Sequence, residues 1–292
     1  HGIEKSKIMK TRHFVLSLLF LTVAGILTAQ PFAKRTGNIL TLDNGVVKRI
    51  IQLDEQKQGV LSKSYSLNKS NNEFLSAGSD DFYFEADGKS VSGFDNWKMV
   101  SVEMIKGENN GNGALVILEH PSIKIKISIT YLLYPELPII RKKILFQNTG
   151  KDEIKLEAID IESLRFDKSD IGTECWVMHD YARQKSLGQF IGNGYDPVVV
   201  VHEIRHHRGF VLGNEAPGIM KRTTAFLRMD QLTIGLTYPD QNFGFRKWLK
   251  PGEQWESTWV FSGIYANTND PYAILNGAVN DFVRKYLGTR LS

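Results

Sequence analysis

From Gly37 onward, apolar and polar residues alternate in short runs broken by turn chemistry, which is the period of half-buried strands and not of helices. The pattern predicts strands over 39–42, 46–53, 81–85, 89–91, 114–119, 123–133, 139–147, 154–166, 197–202, 210–213, 224–228, 232–238 and 254–263. Asn44-Gly45 and Asp87-Gly88 sit between such runs and signal tight hairpins. The stretch from Ile123 to Tyr131 reads Ile-Lys-Ile-Lys-Ile-Ser-Ile-Thr-Tyr, one face for a core and one for water. Many β-runs with few helical windows place the chain among mostly-β folds, as a large antiparallel β-sandwich.

One helix is expected, at the end. Asn269 or Asp270 caps it, Pro271 lies in its first turn, and Ala273, Leu275, Ala278, Val279, Phe282, Val283, Tyr286 and Leu287 recur at helical spacing before Gly288 stops it. With no repeat and no Pro/Ser-rich linker, the division is a single sandwich domain over 36–266 with 267–292 appended as a linker helix. A helix that packs poorly on a sandwich is expected to act as a connector to a further domain.

The first thirty residues read as a targeting segment. Lys10, Arg12 and His13 follow Met9, the apolar run Phe14 to Leu27 comes next, and Leu27-Thr28-Ala29 offers a cut before Gln30. The assignment is therefore a signal peptide over 9–29, and residues 1–8 look like an over-extended reading frame or an appended scar. The run is too short and wrongly flanked for a membrane span, so the expected product is exported, periplasmic or extracellular. Composition adds little specificity: 42% hydrophobic and 23% charged residues suffice for a sizeable core. The +4 charge is spread over 36 basic and 32 acidic side chains without a basic block, so nucleic acid is not an expected partner. The sole cysteine, Cys175, has no intramolecular partner and reads as a buried structural thiol.

His202-Glu203-Ile204-Arg205-His206 matches H-E-x-x-H, in which two His one helical turn apart hold zinc and the Glu acts as base. The surroundings oppose it. The β-branched run 197–201 enters the motif as a strand, where the two His would stand about 13 Å apart at ~3.3 Å per residue. Leu212 occupies the third-ligand position of the longer metzincin pattern, and Gly209 cuts short any helix. Zinc hydrolysis, with Glu215 or Asp180 completing the sphere, is the weakest reading; no metal or cofactor is expected.

The segment 175–183 has neither clean period and gathers aromatic, acidic and basic side chains, as ligand-facing loops do. Sugars are bound by aromatic faces flanked by planar polar groups, which Trp176, Asp180, Tyr181 and Arg183 would supply; a structural loop plugging the sandwich end fits equally. A paired-carboxylate glycosidase site is defined by spatial separation and cannot be picked from sequence. There is no Gly-rich phosphate loop and no G-x-S-x-G elbow.

The stretches Tyr134 to Lys142 and Leu249 to Phe261, with Leu42 to Arg49 before them, resemble the N-terminal domain of family 36 glycoside hydrolases, the α-galactosidase group. That resemblance implies a β-supersandwich of galactose-mutarotase-like shape preceding a (β/α)8 barrel, which carries both catalytic aspartates. It also implies a carbohydrate, galactoside-type, and the catalytic barrel of the same protein as partners. The nucleophile and acid of the family map to no position here. Segments 176–183 and 202–215 are the candidates for the rim of the sugar pocket, which adds His206 and Glu215 to the substrate-binding set. The alternative is a stand-alone carbohydrate-binding or mutarotase-like sandwich, in which His and Glu near 202–215 act as base and acid.

Overall fold

The alternation along the chain is realised as twenty-one strands among the described residues. The computed structural model describes residues 31–54, 59–70, 73–76, 78–166, 175–179, 184–187, 190–193, 197–226 and 231–288, with the backbone alone at 54, 175–179, 184–187, 190–193 and 226. In chain order the strands are β1 (Ala33–Thr36), β2 (Ile39–Asp43), β3 (Val47–Asp54), β4 (Gly59–Leu67), β5 (Asp81–Ala86), β6 (Lys89–Ser92), β7 (Lys98–Lys106), β8 (Asn112–His120), β9 (Ile125–Leu133), β10 (Ile139–Asn148) and β11 (Ile154–Arg165). There follow β12 (Cys175–His179), β13 (Gln184–Leu187), β14 (Phe190–Asn193), β15 (Val198–Glu203), β16 (Arg208–Asn214), β17 (Lys221–Phe226), β18 (Gln231–Leu236), β19 (Lys247–Leu249), β20 (Gln254–Glu256) and β21 (Val260–Tyr265). They form a four-stranded sheet β1-β2-β3-β4, a ten-stranded sheet β13-β12-β15-β16-β21-β10-β9-β8-β7 with β20 on β10, and a seven-stranded sheet β14-β17-β18-β11-β5-β6 with β19 on β11. The pairings among them are antiparallel, as short turns between neighbours require.

The hairpin signals hold. Asn44 turns the chain between β2 and β3, and its carboxamide oxygen accepts from the Val46 and Val47 amides. Its Nδ2 donates to the Tyr134 and Leu137 carbonyls, tying this hairpin to the loop before β10. Asp87 and Gly88 join β5 and β6 with positive φ values of 51° and 75°. The predicted run 254–263 is broken in two: β20 pairs one end of β10, β21 pairs the other, and Ser257 between them donates and accepts across to β10. Strands β1, β4, β7, β13, β14 and β19 are not among the predicted runs, and residues 175–179, expected as part of an irregular loop, instead pair as β12 between β13 and β15.

The core lies between the sheets. Ile125, Ile127, Ile129 and Tyr131 of β9 point into it together with Ile140, Ile144 and Phe146 of β10, Leu40 and Leu42 of β2, and Phe82 and Phe84 of β5. The helix corrects the expectation of poor packing. Three helical stretches, Leu275–Val279, Asn280–Phe282 and Val283–Leu287, follow one another without a break and make α1. Asp270 accepts from the Tyr272 amide in the turn that leads into it, and Gly288 ends it at φ 67°. Its apolar face lies on the outer surface of the ten-stranded sheet, where Ile274, Val279 and Phe282 join Leu132, Tyr134, Ile139, Val211 and Phe261 in a second buried cluster. Residues 31–292 accordingly form one compact unit that includes the helix. Among the described residues, no helix is long and apolar enough to cross a membrane.

Two glycines make the outer face possible. A Cβ on Gly213 would fall about 2.0 Å from the Phe261 ring, and one on Gly209 would fall 2.7 Å from the Tyr265 hydroxyl. Their bare backbones let both rings lie down on the sheet.

Candidate functional site

Strands β12 and β15 are neighbours, with Cys175 opposite Glu203 and Trp176 opposite His202, so the two segments singled out in the sequence adjoin on the ten-stranded sheet. Asp180, Tyr181 and Arg183 lie outside the described residues, as do the side chains of Trp176 and Cys175. The H-E-x-x-H residues are not on a helix. His202 and Glu203 end β15, residues 204–207 make the turn into β16, and His207 takes a left-handed φ of 51° there. His202 is buried on the outer face with Nδ1 2.9 Å from the Tyr265 hydroxyl, whereas Glu203 is buried on the inner face and accepts from Arg208 Nε at 2.5 Å. His206 is exposed, with Nε2 3.5 Å from Glu203 Oε1. Successive strand residues point to opposite faces, so this hairpin spreads the motif over both sides of the sheet. Among the described residues no three His, Cys, Asp or Glu side chains are grouped to hold a metal.

Glu215 lies elsewhere, just past the end of β16, and anchors a cluster of aromatic and charged groups on the outer face of the ten-stranded sheet. It receives Arg141 Nε at 2.8 Å and Nη2 at 2.5 Å, a bidentate pair. The Arg141 guanidinium stacks 4.2 Å from the centre of the Trp259 ring, and Lys143 Nζ lies 4.4 Å from the same centre. Arg141 and Lys143 are two apart on β10 and so share the outer face. Glu108 reaches both cations, at 3.5 Å from Arg141 Nη1 and 3.3 Å from Lys143 Nζ, and Glu256 pairs with Lys143 at 2.6 Å. Arg141 Nη1 also donates to the Tyr134 hydroxyl at 3.4 Å, and the Tyr134 ring packs 4.6 Å from Tyr286 of α1. Burial works against the Arg141 charge, but the Glu215 hydrogen bond and charge outweigh it and raise its pKa.

Lys142, between those two cations, points the other way into a fully buried ionic node. Arg49 of β3 donates to Glu162 at 2.7 and 2.8 Å and to Asp81 at 2.7 Å; Lys142 reaches Asp81 at 2.8 Å and Glu162 at 3.3 Å. Tyr131 donates to Asp81 at 2.5 Å and Ser62 to the same carboxylate at 2.8 Å. Arg49 comes from the four-stranded sheet, Lys142 and Tyr131 from the ten-stranded, Asp81 and Glu162 from the seven-stranded, so the node joins all three. Burial opposes the Arg49 charge and the Glu162 and Asp81 carboxylates overcome it, holding the guanidinium protonated. Burial likewise pushes Asp81 up, but Lys142, Arg49 and the Tyr131 hydrogen bond bring it below its ordinary value. With every member paired and no opening to solvent, this node is architectural.

No protein-family model and no curated protein matches the sequence. Solved structures do. The α-galactosidase AgaB of glycoside hydrolase family 36 from Geobacillus stearothermophilus superposes with a TM-score of 0.64 over 87% of this chain and 43% of its own, at 12% identity. The chain has the fold found in family 36 α-galactosidases. The α-galactosidase from Lactobacillus brevis matches with a TM-score of 0.66, 10% identity, 85% of this chain and 42% of that one. A doubly substituted AgaA from Geobacillus stearothermophilus, solved in complex with raffinose, matches with a TM-score of 0.62, 12% identity, 84% of this chain and 42% of that one. The chain thus spans less than half the length of the enzymes it matches.

The sequence reading named Glu215 but missed its partners Arg141, Trp259, Lys143 and Glu108. A signal was present for two of them: in Arg141-Lys142-Lys143 the outer positions fall off the apolar Ile140, Ile144, Phe146 face. Nothing local points to Trp259 or Glu108, which tertiary pairing brings in from over a hundred residues away and from thirty-odd.

Proposed function

We propose that this chain is the non-catalytic β-sandwich module of an exported, α-galactosidase-like glycoside hydrolase, which packs on a catalytic barrel and lends residues to the rim of its sugar pocket. The observation that carries this reading is the superposition on family 36 enzymes over most of this chain but about two fifths of theirs. A barrel of the (β/α)8 kind needs ~200 residues or more of alternating βα pattern, which the sandwich strands do not supply. Export rests on the basic, apolar and small-residue sequence of 9–29.

The test is expression of the gene together with whatever coding sequence follows the Ser292 codon. Hydrolysis of p-nitrophenyl α-galactoside by the longer product, and none by the present chain, is the expected result. A stop codon at that point, or a longer product without a barrel, overturns the reading in favour of a free-standing sugar-binding or mutarotase-like sandwich.

A further inference from the structure

The turn from His120 to Lys124, between β8 and β9, is closed by hydrogen bonds that depend on a neutral imidazole. The Lys124 amide donates to the His120 carbonyl, and the Ile123 amide donates to His120 Nδ1 at 3.4 Å. An Nδ1 that accepts carries no proton, so the ring holds its hydrogen on Nε2. Lys124 completes the turn in the left-handed region, at φ 55°. The His120 ring is buried on the inner face of β8, in step with Val116 and Leu118, and stands edge-to-face with Trp97 at 5.1 Å between centroids. Trp97 in turn packs on Phe82 and Phe84 and donates from Nε1 to the Ser92 carbonyl at 2.8 Å, so the imidazole rests against a fixed wall.

A proton added to Nδ1 turns an acceptor into a donor and sets two N–H groups against each other, in a place where burial already disfavours a charge. Burial holds the His120 pKa below its ordinary value, against the opposing field of Asp95. Asp95 is the charged group that acts on the ring. Lys98 and Glu119 are paired on the opposite face of the sheet, and Lys124, Asp87 and Lys89 line a cleft bordered by the turn. That cleft encloses about 220 Å³ where the β5–β6 turn, the β8–β9 turn and the β10–β11 connection meet. Ser122, Ile123 and Lys124 form one of its walls, and the Lys124 carbonyl accepts from the Thr149 amide, which ties that wall to the β10–β11 connection.

We propose that His120 is an acid-sensitive latch on this end of the sandwich: the neutral ring holds the 121–124 turn in place, and its protonation releases the turn and with it one wall of the cleft. The latch rests on these residues alone and is independent of the module reading. The neutral ring's stabilisation is complete above the unfolded histidine value of about 6.5 and is lost as pH falls through the lower folded value.

NMR titration of the 15N-labelled chain from about pH 8 to about pH 4 reads the latch directly. The His120 ring, identified among the seven histidines by its contact with the Trp97 indole, is expected to titrate below about 6.5. The amides of Ser122, Ile123, Lys124 and Thr149 and the Trp97 indole N–H are expected to shift reversibly with the same midpoint, while those in the middle of β10 and β11 stay in place. In His120→Gln, whose side-chain oxygen still accepts from the Ile123 amide, the turn is expected to lose that transition. A His120 ring that titrates at or above the ordinary value, or not at all in this range, overturns the proposal. So do turn amides that stay still while the ring titrates, a transition retained in His120→Gln, or loss of dispersion across the whole spectrum at the same midpoint, which would make the event global unfolding rather than release of a turn.

Discussion

Replacing one carboxylate of the buried node leaves two cations with one anion in a place water does not reach. Asp81→Asn is expected to destabilise the fold by about 3–5 kcal/mol, the usual cost of breaking a buried pair from one side, read as a lower urea midpoint. Asp81→Asn together with Lys142→Met removes one charge of each sign and is expected to recover part of that loss; a double variant no more stable than the single would show that the charges do not act as a unit. Asp81 also sets a pH dependence. Its folded pKa lies below the ordinary value, so its stabilisation is present above the unfolded carboxylate value of about 4 and is lost as pH falls through the folded value. Asp160 has the opposite sign. Burial raises it despite Arg222 and the Tyr238 hydrogen bond, so its contribution is present at low pH and lost as pH rises through the raised value. Urea midpoints from pH 3 to 6 are therefore expected to flatten on their acid limb in Asp81→Asn; an unaltered limb would assign acid sensitivity to other groups. The node was half legible. Arg49 falls on the Val47, Ile51, Leu53 face of β3 and Lys142 on the Ile140, Ile144 face of β10, so period two alone puts both inside; which carboxylates meet them, from 32 and from twenty residues away, it does not say.

Strand β9 shows where alternation is obeyed and where it stops. Ile125, Ile127, Ile129 and Tyr131 are buried while Lys126, Ser128 and Thr130 are half exposed, as the sequence predicts, but Leu132 and Leu133 are both buried. The reason is α1, which covers the outer face at that level and makes both sides of the strand interior. Phe282 is the fully buried anchor of that cover, with its ring 5.1 Å from both Tyr134 and Phe261. Phe282→Ala is expected to cost about 3–5 kcal/mol and to lower Tm by roughly 10 °C; a change under 2 °C would mean that the helix adds little to the fold. A second constraint sits at the bulge between Asp160 and Glu162 of β11, opposite Gly235 of β18. A Cβ there would fall 1.9 Å from the Ile159 carbonyl oxygen, and backbone cannot swing aside. Gly235→Ala is therefore expected to destabilise by about 1–3 kcal/mol and to disturb the neighbouring Asp160, Arg222 and Tyr238 contacts, visible in thermal melts and in amide exchange of β18.

At the scale of the molecule, several large apolar side chains remain at the surface, among them Phe243 at 56%, Phe94 at 51% and Met220 at 47% exposure, besides Trp248. A module cut from a larger protein is expected to leave such surface uncovered. Sedimentation velocity over a hundredfold concentration range is expected to show self-association, and a clean monomer throughout would argue for a domain that stands alone. Turn chemistry, strand period and the Gly288 stop are local, each written in a few consecutive residues, so the sequence by itself determined the amphipathic strands, the Asn44-Gly45 and Asp87-Gly88 hairpins, the helix and hence the mostly-β class, while the short or edge strands β1, β4, β7, β12, β13, β14 and β19 escaped it. The grouping of Glu215 with Arg141, Trp259 and Glu108, the joining of three sheets by one ionic node and the seating of α1 were decided only by tertiary structure. Their partners are brought together by sheet order and register, which arise from the packing of whole faces and leave no mark at any single position.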